Sequence, residues 1–449
     1  MSTPRRRLLS ALAGATLAVA GLSLPAVPSP LSTASPAAAH RSSFRPVIFV
    51  HGFSGGASQF ETQAKRLASN GYPEDLVEAE EYDSPNIATI LPQVWASLDA
   101  RIARLLAASG ADKVDMLGHS LGTFVMQGYL NSSPERAARV AHYVNLDGAT
   151  ATAQPGGVPT LAIWGEGNPA RAITGATNVY FPDQSHTQTV SSPESFTQFY
   201  TFFNGRAPRT TALVPEPFGL AKVSGRAVLF PSNAGVTDAT LFVYRVSSLT
   251  GRRLSTHPEH VFTLTGDGSF GPFRVLASAR YEFAIVRPGA ATHHLYFEPF
   301  VRSDNFVRLL TSPPGEGLGA LVETGPNHTS LVINRQKEWW GDQGDLGDGL
   351  WLNGENILNA ATAPRTKRVI GIFAFDAHVD GVTDLSAPLP AFFSQPFISG
   401  VDVFMPAAPA HLGLVSIVAR SRAGQGIDVV NVPNWPSDQH RITVNVNDN

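Results

Sequence analysis

Gly118-His119-Ser120-Leu121-Gly122 fits the pattern G-x-S-x-G, and it sits where a β-branched run at residues 114–117 gives way to a helical stretch carrying Phe124, Met126 and Tyr129. A serine at such a strand-to-helix junction occupies a sharp turn that lifts its hydroxyl above the strand ends. The flanking glycines let backbone pass close beside it. Serine is a weak nucleophile at neutral pH, so an imidazole must take its proton and a carboxylate must hold that imidazole in the correct tautomer. The chemistry such a set performs is acyl transfer through a covalent acyl-serine.

The sequence can be searched for both partners. Before residue 210 the histidines are His40, His51, His119, His142 and His186. His51 belongs to a strand-end His-Gly pair, His119 lies inside the turn, and His142 lies mid-strand, where a satisfied core histidine is expected. His186 follows the last expected strand and precedes a closing helix, which matches the chain order serine, acid, histidine. For the acid, Asp147 ends a strand and precedes Gly148, next to the serine strand, and is the first choice. Glu166, after the following strand, is the alternative; Asp183 is too near His186 in sequence and reads as a turn residue.

A tetrahedral oxyanion needs preorganised N–H donors, each lowering the barrier by roughly 3 kcal/mol. The backbone N–H groups of Leu121 and of Phe53, which follows His51-Gly52, are the candidates. Strand-end position suggests Phe53, Phe60, Leu121 and Trp164 as walls of a substrate pocket, with ordinary core packing as the competing role.

The elements that must position these groups alternate. Residues 46–204 interleave apolar runs (47–50, 114–117, 140–146, 159–164, 178–181) with helical patterns, as a parallel sheet covered by helices does. Leu91, Trp95, Leu98, Ile102 and Leu105 form one apolar stripe closed by Gly110, and residues 193–203 read as a final helix capped by Ser192. Beyond residue 205 the pattern becomes short alternating strands between Gly, Asp and Pro turns. The expected organisation is a signal peptide (1–39), an α/β catalytic domain (40–208), a β-sandwich module (209–311) and a second β-rich module (312–449).

The signal peptide reading rests on Arg5, Arg6 and Arg7 before an apolar run that ends in Ala37, Ala38 and Ala39, and it implies an extracellular product. Its removal takes three of 33 basic residues and no acidic one, leaving 30 basic residues against 36 acidic ones. Nucleic acid is therefore not an expected partner. No other segment is long and apolar enough to span a bilayer. With no cysteine, disulfides, thiol nucleophiles and thiolate metal sites are excluded.

Asp342, Asp345 and Asp348 recur every third residue and could gather oxygen around calcium, but the spacing is not that of an EF-hand and a solvated turn is preferred. No cofactor is expected. Trp339 and Trp340 could dock on a lipid or polymer surface or fill a core. Asn327 heads a sequon given no weight.

His51-Gly52-Phe53 and Gly118-His119-Ser120-Leu121-Gly122 together resemble the secreted bacterial triacylglycerol lipases of the α/β-hydrolase fold, over residues 46–205. The acid after the strand following the serine, with a β-rich C-terminal half, is similar to archaeal-type long-chain lipases. The resemblance implies Ser120, Asp147 and His186 as a triad, Phe53 and Leu121 as oxyanion donors, and a lipid or other ester as substrate. It departs from that type in its short connections between His51 and Ser120 and after Asp147, which predict no large lid. A polyester depolymerase, a short-chain esterase and an acyltransferase would use the same triad, and an inert binding module on this scaffold is the remaining alternative.

Overall fold

A computed structural model describes residues 44–408, 412–422 and 426–447. The expected signal peptide lies outside the described residues. Six parallel strands, β1 (Val47–Val50), β2 (Val77–Glu80), β3 (Val114–His119), β4 (Val140–Leu146), β5 (Thr160–Trp164) and β6 (Thr177–Tyr180), form one sheet in the order β2-β1-β3-β4-β5-β6. Helices α1 (Glu61–Ser69), α2 (Ile87–Ser109), α3 (Leu121–Ser132), α4 (Pro134–Ala138), α5 (Gln188–Ser191) and α6 (Pro193–Asn204) join and cover them.

Strand alternation divides the core into two layers. On β1, Val47 and Phe49 pack with Phe60, Leu67 and Phe196, while Ile48 and Val50 pack with Leu98, Ile102 and Val125. Each such side chain contributes about 1.5–3 kcal/mol on full burial, which is why both strand faces are apolar and both are covered. α2 ends at Gly110 with φ 69°, and Ser192 Oγ accepts the Ser195 N–H (3.1 Å) at the start of α6. The edge strand β2 has no counterpart in the sequence reading, because Glu78 and Glu80 break its apolar run.

The rest of the chain is β-rich and mainly antiparallel. In chain order it comprises β7 (Leu220–Leu229), β8 (Ala234–Gly235), β9 (Ala239–Val246), β10 (His260–Leu264), β11 (Ser269–Leu276), β12 (Arg280–Val286), β13 (Thr292–Phe297) and β14 (Asp304–Thr311). After these come β15 (Leu331–Trp339), β16 (Gly349–Leu352), β17 (Glu355–Asn356), β18 (Val369–Phe375), β19 (Ile398–Asp402), β20 (Leu414–Arg420), β21 (Ile427–Pro433) and β22 (His440–Asn445).

An eight-stranded sheet in the order β10-β9-β12-β13-β22-β15-β18-β19 runs through strands from both sides of residue 312, with β22 parallel to β13 and to β15. Two four-stranded sheets accompany it: β11-β7-β14 with β8 beside β7, and β17-β16-β20-β21. The β-rich region is seated directly on the α/β region. Phe306 joins the core of the parallel sheet, and the buried Lys65 ammonium of α1 pairs with Asp304 at 2.7 Å. No helix among the described residues is long and apolar enough to cross a membrane.

Candidate functional site

Ser120 stands between β3 and α3 with φ 51° and ψ −121°, a backbone conformation that costs an ordinary residue about 1–3 kcal/mol and persists only where the surroundings impose it. The two glycines supply those surroundings. A Cβ on Gly122 would lie 2.2 Å from the Val50 carbonyl oxygen, and one on Gly118 would lie 2.6 Å from Met126 Sδ. Thr123 ties the turn to the neighbouring loop: its hydroxyl donates to the Ser120 carbonyl (2.6 Å) and accepts the Ala149 N–H (2.7 Å).

Asp147 ends β4 at a second strained position, φ 44°. Its buried carboxylate accepts the Gly165 N–H (2.8 Å) and an Arg171 N–H on Oδ1, and His186 Nδ1 donates to Oδ2 at 2.6 Å. Burial alone would raise its pKa, but the His186 hydrogen bond and charge, the Gly165 N–H and Arg171 outweigh it and hold it at about 2. With Nδ1–H engaged, His186 leaves Nε2 for the cavity it shares with Ser120. No hydrogen bond joins the Ser120 hydroxyl to His186 in this structure.

Glu166, the alternative acid, is turned away. It is paired with Arg365 (2.7 Å) and Arg368 (3.3 Å) from the β-rich region.

The other histidines hold the scaffold. Gln59 Nε2–H donates to His119 Nδ1 (2.9 Å), so His119 Nε2–H donates to the His186 carbonyl (3.0 Å), and Gln59 Oε1 accepts the Gly52 N–H (3.2 Å). This chain joins the loop after β1, the serine turn and the histidine loop. Burial first, then the charge of His186, drives the His119 pKa well down and keeps it neutral. His51 is likewise neutral, lowered by burial to about 4; it donates to the Gly52 carbonyl and accepts from the Tyr82 N–H.

The N–H groups of Phe53 and Leu121 have no hydrogen-bond partner among the described residues, and Leu121 opens α3, where the helix dipole adds positive potential. Phe53 and Ser120 face a cavity of ≈ 150 Å³. The β-rich region contributes apolar walls to it: Phe230, Leu318, Val322, Val332, Phe373 and Phe397. Phe60 and Trp164, expected in these walls, are instead fully buried. Phe60 stacks on Phe49, and Trp164 packs on Ala162 and Ile173 with its indole N–H bonded to Asn178, because strand-end position cannot tell an inward from an upward side chain.

The β-rich region also supplies supports that no local pattern announces. Glu338, fully buried, accepts the Ser185 hydroxyl on one oxygen and the Thr187 N–H (2.7 Å) on the other, gripping the residues on both sides of His186. Asn233 donates to the Gly55 carbonyl (2.9 Å) and the Tyr82 carbonyl (3.1 Å), bracing the loop after His51.

Asp348 is enclosed by two guanidiniums, Arg335 (2.9 Å) and Arg422 (2.7 Å), while Asp345 is exposed. The Asp342 carboxylate accepts the Arg365 N–H. Among the described residues no group of three or more acidic or histidine side chains is placed to hold a metal. Trp339 and Trp340 are buried, Trp340 between the guanidiniums of Arg365 and Arg422.

Residues 44–133 match the family model of class 2 lipases, residues 219–314 that of the lipase C-terminal domain, and residues 317–449 a model described as a C-terminal domain. A search of curated proteins finds no match.

Among solved structures the chain is similar to Aspergillus fumigatus lipase B (14% identity, 37% of this chain and 54% of that one, TM-score 0.30). It is similar also to tomato methylketone synthase I (14%, 36% and 98%, TM-score 0.28) and to a predicted hydrolase of Thermoplasma acidophilum (17%, 35% and 85%, TM-score 0.26). The chain thus spans about half the length of the first of these. The class 2 lipase match extends past the serine turn to the end of α3, and the lipase C-terminal match begins only after the parallel sheet is complete.

Proposed function

We propose that this chain is an extracellular carboxylic ester hydrolase acting on lipid esters, triacylglycerols foremost, with Ser120 as nucleophile, His186 as general base and Asp147 as its orienting acid. The observation that carries the reading is the 2.6 Å Asp147–His186 pair opening on the same cavity as the strained Ser120. Ser120 Oγ attacks the ester carbonyl as its proton passes to His186 Nε2. The oxyanion is met by the N–H groups of Leu121 and Phe53. The tetrahedral intermediate then expels the alcohol, which takes the proton from His186, and water, deprotonated by the same imidazole, releases the acid and frees the serine.

Apolar cavity walls such as Phe230, Val322, Phe373 and Phe397 support an acyl chain as the group bound, since burying apolar surface rewards each methylene by about 0.8 kcal/mol. The lipase-family matches support ester cleavage, and the arginine-led apolar N-terminal segment supports export. Export is expected to yield a product that begins near His40.

The test is hydrolysis of 4-nitrophenyl esters of rising chain length and of triglyceride emulsions by wild type and Ser120→Ala. Ser120→Ala is expected to lose at least a thousandfold in kcat and all labelling by a fluorophosphonate. Retention of either in a folded variant overturns the proposal.

A further inference from the structure

One face of the eight-stranded sheet floors the cavity. Side chains alternate along a strand, so on β22 Ile442 and Val444 enter the core while Arg441, Thr443 and Asn445 line the cavity. β15 runs parallel beside it, with Leu331 opposite Ile442 and Asn334 opposite Asn445. Gln336, further along β15, reaches the α/β region through Ser58 at 3.3 Å, and Glu338 grips the histidine loop. Arg441 therefore stands at the opposite end of the floor, in register with residue 330. At about 3.3 Å per residue, six residues separate it from the catalytic end by on the order of 20 Å.

Among the described residues, that remote end carries positive charge without a counter-charge. No Asp or Glu among the described residues lines the cavity. Arg308 and Arg335, which also border it, are paired with Glu81 and Asp348, but Arg441 has no ion pair or hydrogen bond among the described residues. Its guanidinium lies against Gly319, where a Cβ would meet Nη1 at 2.3 Å, and Ser312 lies beside that glycine on the cavity wall.

Arg287 stands behind, its Nη1 bonded weakly to Thr311 Oγ1 (3.5 Å) and the Ser312 carbonyl (3.4 Å), and its Nη2 is a buried donor with no partner. Burial, followed by the charge of Arg441, depresses its pKa, and burial does the same for Arg441. Two partly desolvated guanidiniums near each other, with orphan donors and a cavity between them and a nucleophile, are unfavourable unless an anion joins them.

We propose that Arg441, backed by Arg287, is an anion subsite at the far end of the substrate cavity, selecting esters whose remote end bears a carboxylate or a phosphate. This rests on the ester hydrolase reading above. A planar guanidinium fork suits either oxyanion, and the apolar stretch between it and Ser120 suits the connecting chain.

The experiment compares kcat/KM of wild type, Arg441→Gln and Arg287→Gln on two matched series. One is mono-4-nitrophenyl esters of dicarboxylic acids from eight to sixteen carbons against the same compounds capped as methyl esters. The other is 4-nitrophenyl esters of ω-phosphonooxy alkanoic acids of the same lengths against the same compounds capped as phosphate dimethyl esters.

Wild type is expected to favour the charged member by about tenfold at the length that spans the cavity, the size of one solvent-accessible charge-assisted hydrogen bond. Arg441→Gln is expected to erase that ratio, and Arg287→Gln to reduce it. Preference in the first series alone assigns a carboxylate, in the second alone a phosphate, and in both a general anion site. No preference in wild type at any length, or an unchanged ratio in folded Arg441→Gln, overturns the subsite. Absence of turnover on every ester, charged or uncharged, would instead overturn the hydrolase reading beneath it.

Discussion

Replacing Asp147 by Asn tests the proposed acid at the level of single protons. The aspartate offers two oxygens to three N–H donors: His186, Gly165 and Arg171. Held at about 2, its carboxyl is ionised at any working pH. Asparagine keeps the volume but has one acceptor oxygen, which Gly165 and Arg171 claim. Its NH₂ then faces His186 Nδ1 and forces that nitrogen to accept. The imidazole proton moves to Nε2, the atom that must receive the serine proton, and the base is lost.

Loss of orientation and of the charge opposite the developing imidazolium is expected to lower kcat by about 10⁴, or about 5 kcal/mol. Glu166→Gln, made in parallel, breaks only the pairs to Arg365 and Arg368, both part-exposed, and is expected to stay within a few-fold. Both are read as kcat and KM on a 4-nitrophenyl ester, with near-UV circular dichroism to check folding. Asp147→Asn within tenfold of wild type, or Glu166→Gln down a thousandfold, would refute the assignment.

Glu338→Gln weakens the grip on Ser185 and Thr187 and is expected to lower kcat about tenfold with KM within twofold; an equal fall on KM alone would mean the loop is not held for catalysis. Gly122→Ala drives a Cβ to 2.2 Å from the Val50 oxygen and should destabilise the fold by about 3 kcal/mol or more in denaturant unfolding, whereas an unchanged midpoint would contradict the close approach of α3 to β1. Burial, then the charge of Asp428, pushes the Glu298 carboxyl up to about 7, against about 4.3 when unfolded. A raised pKa means that stability is whole below about pH 4.3 and is lost as pH rises to 7. Glu298→Gln should therefore match wild type near pH 4 and exceed it at pH 8 by up to about 3 kcal/mol, a gap that must widen with pH in thermal melts.

The parallel sheet and the serine turn were legible in the sequence because their determinants are local. Val47–Val50 is apolar at every position since both faces are covered, and Gly118 and Gly122 are glycines because backbone passes within 3.0 Å of where a Cβ would sit. Chain order marked out His186, and a place at the end of the strand beside the serine strand marked out Asp147; the fold brings the two to 2.6 Å. The competing acid, Glu166, was separable only by its partners, since Arg365 and Arg368 lie some two hundred residues away.

The pocket walls were illegible for the same reason. Phe60 and Trp164 point into cores, whereas Phe230, Val322 and Phe397 come from strands and loops whose own spacing says nothing of a cavity. Gln59, Glu338 and Asn233 act through contacts that reach 178 residues along the chain, where no periodicity extends. What the sequence decides here is whatever short-range backbone geometry demands. What only the tertiary structure decides is which surface closes over Ser120, because that depends on how the eight-stranded sheet lies against the strand ends of the parallel one.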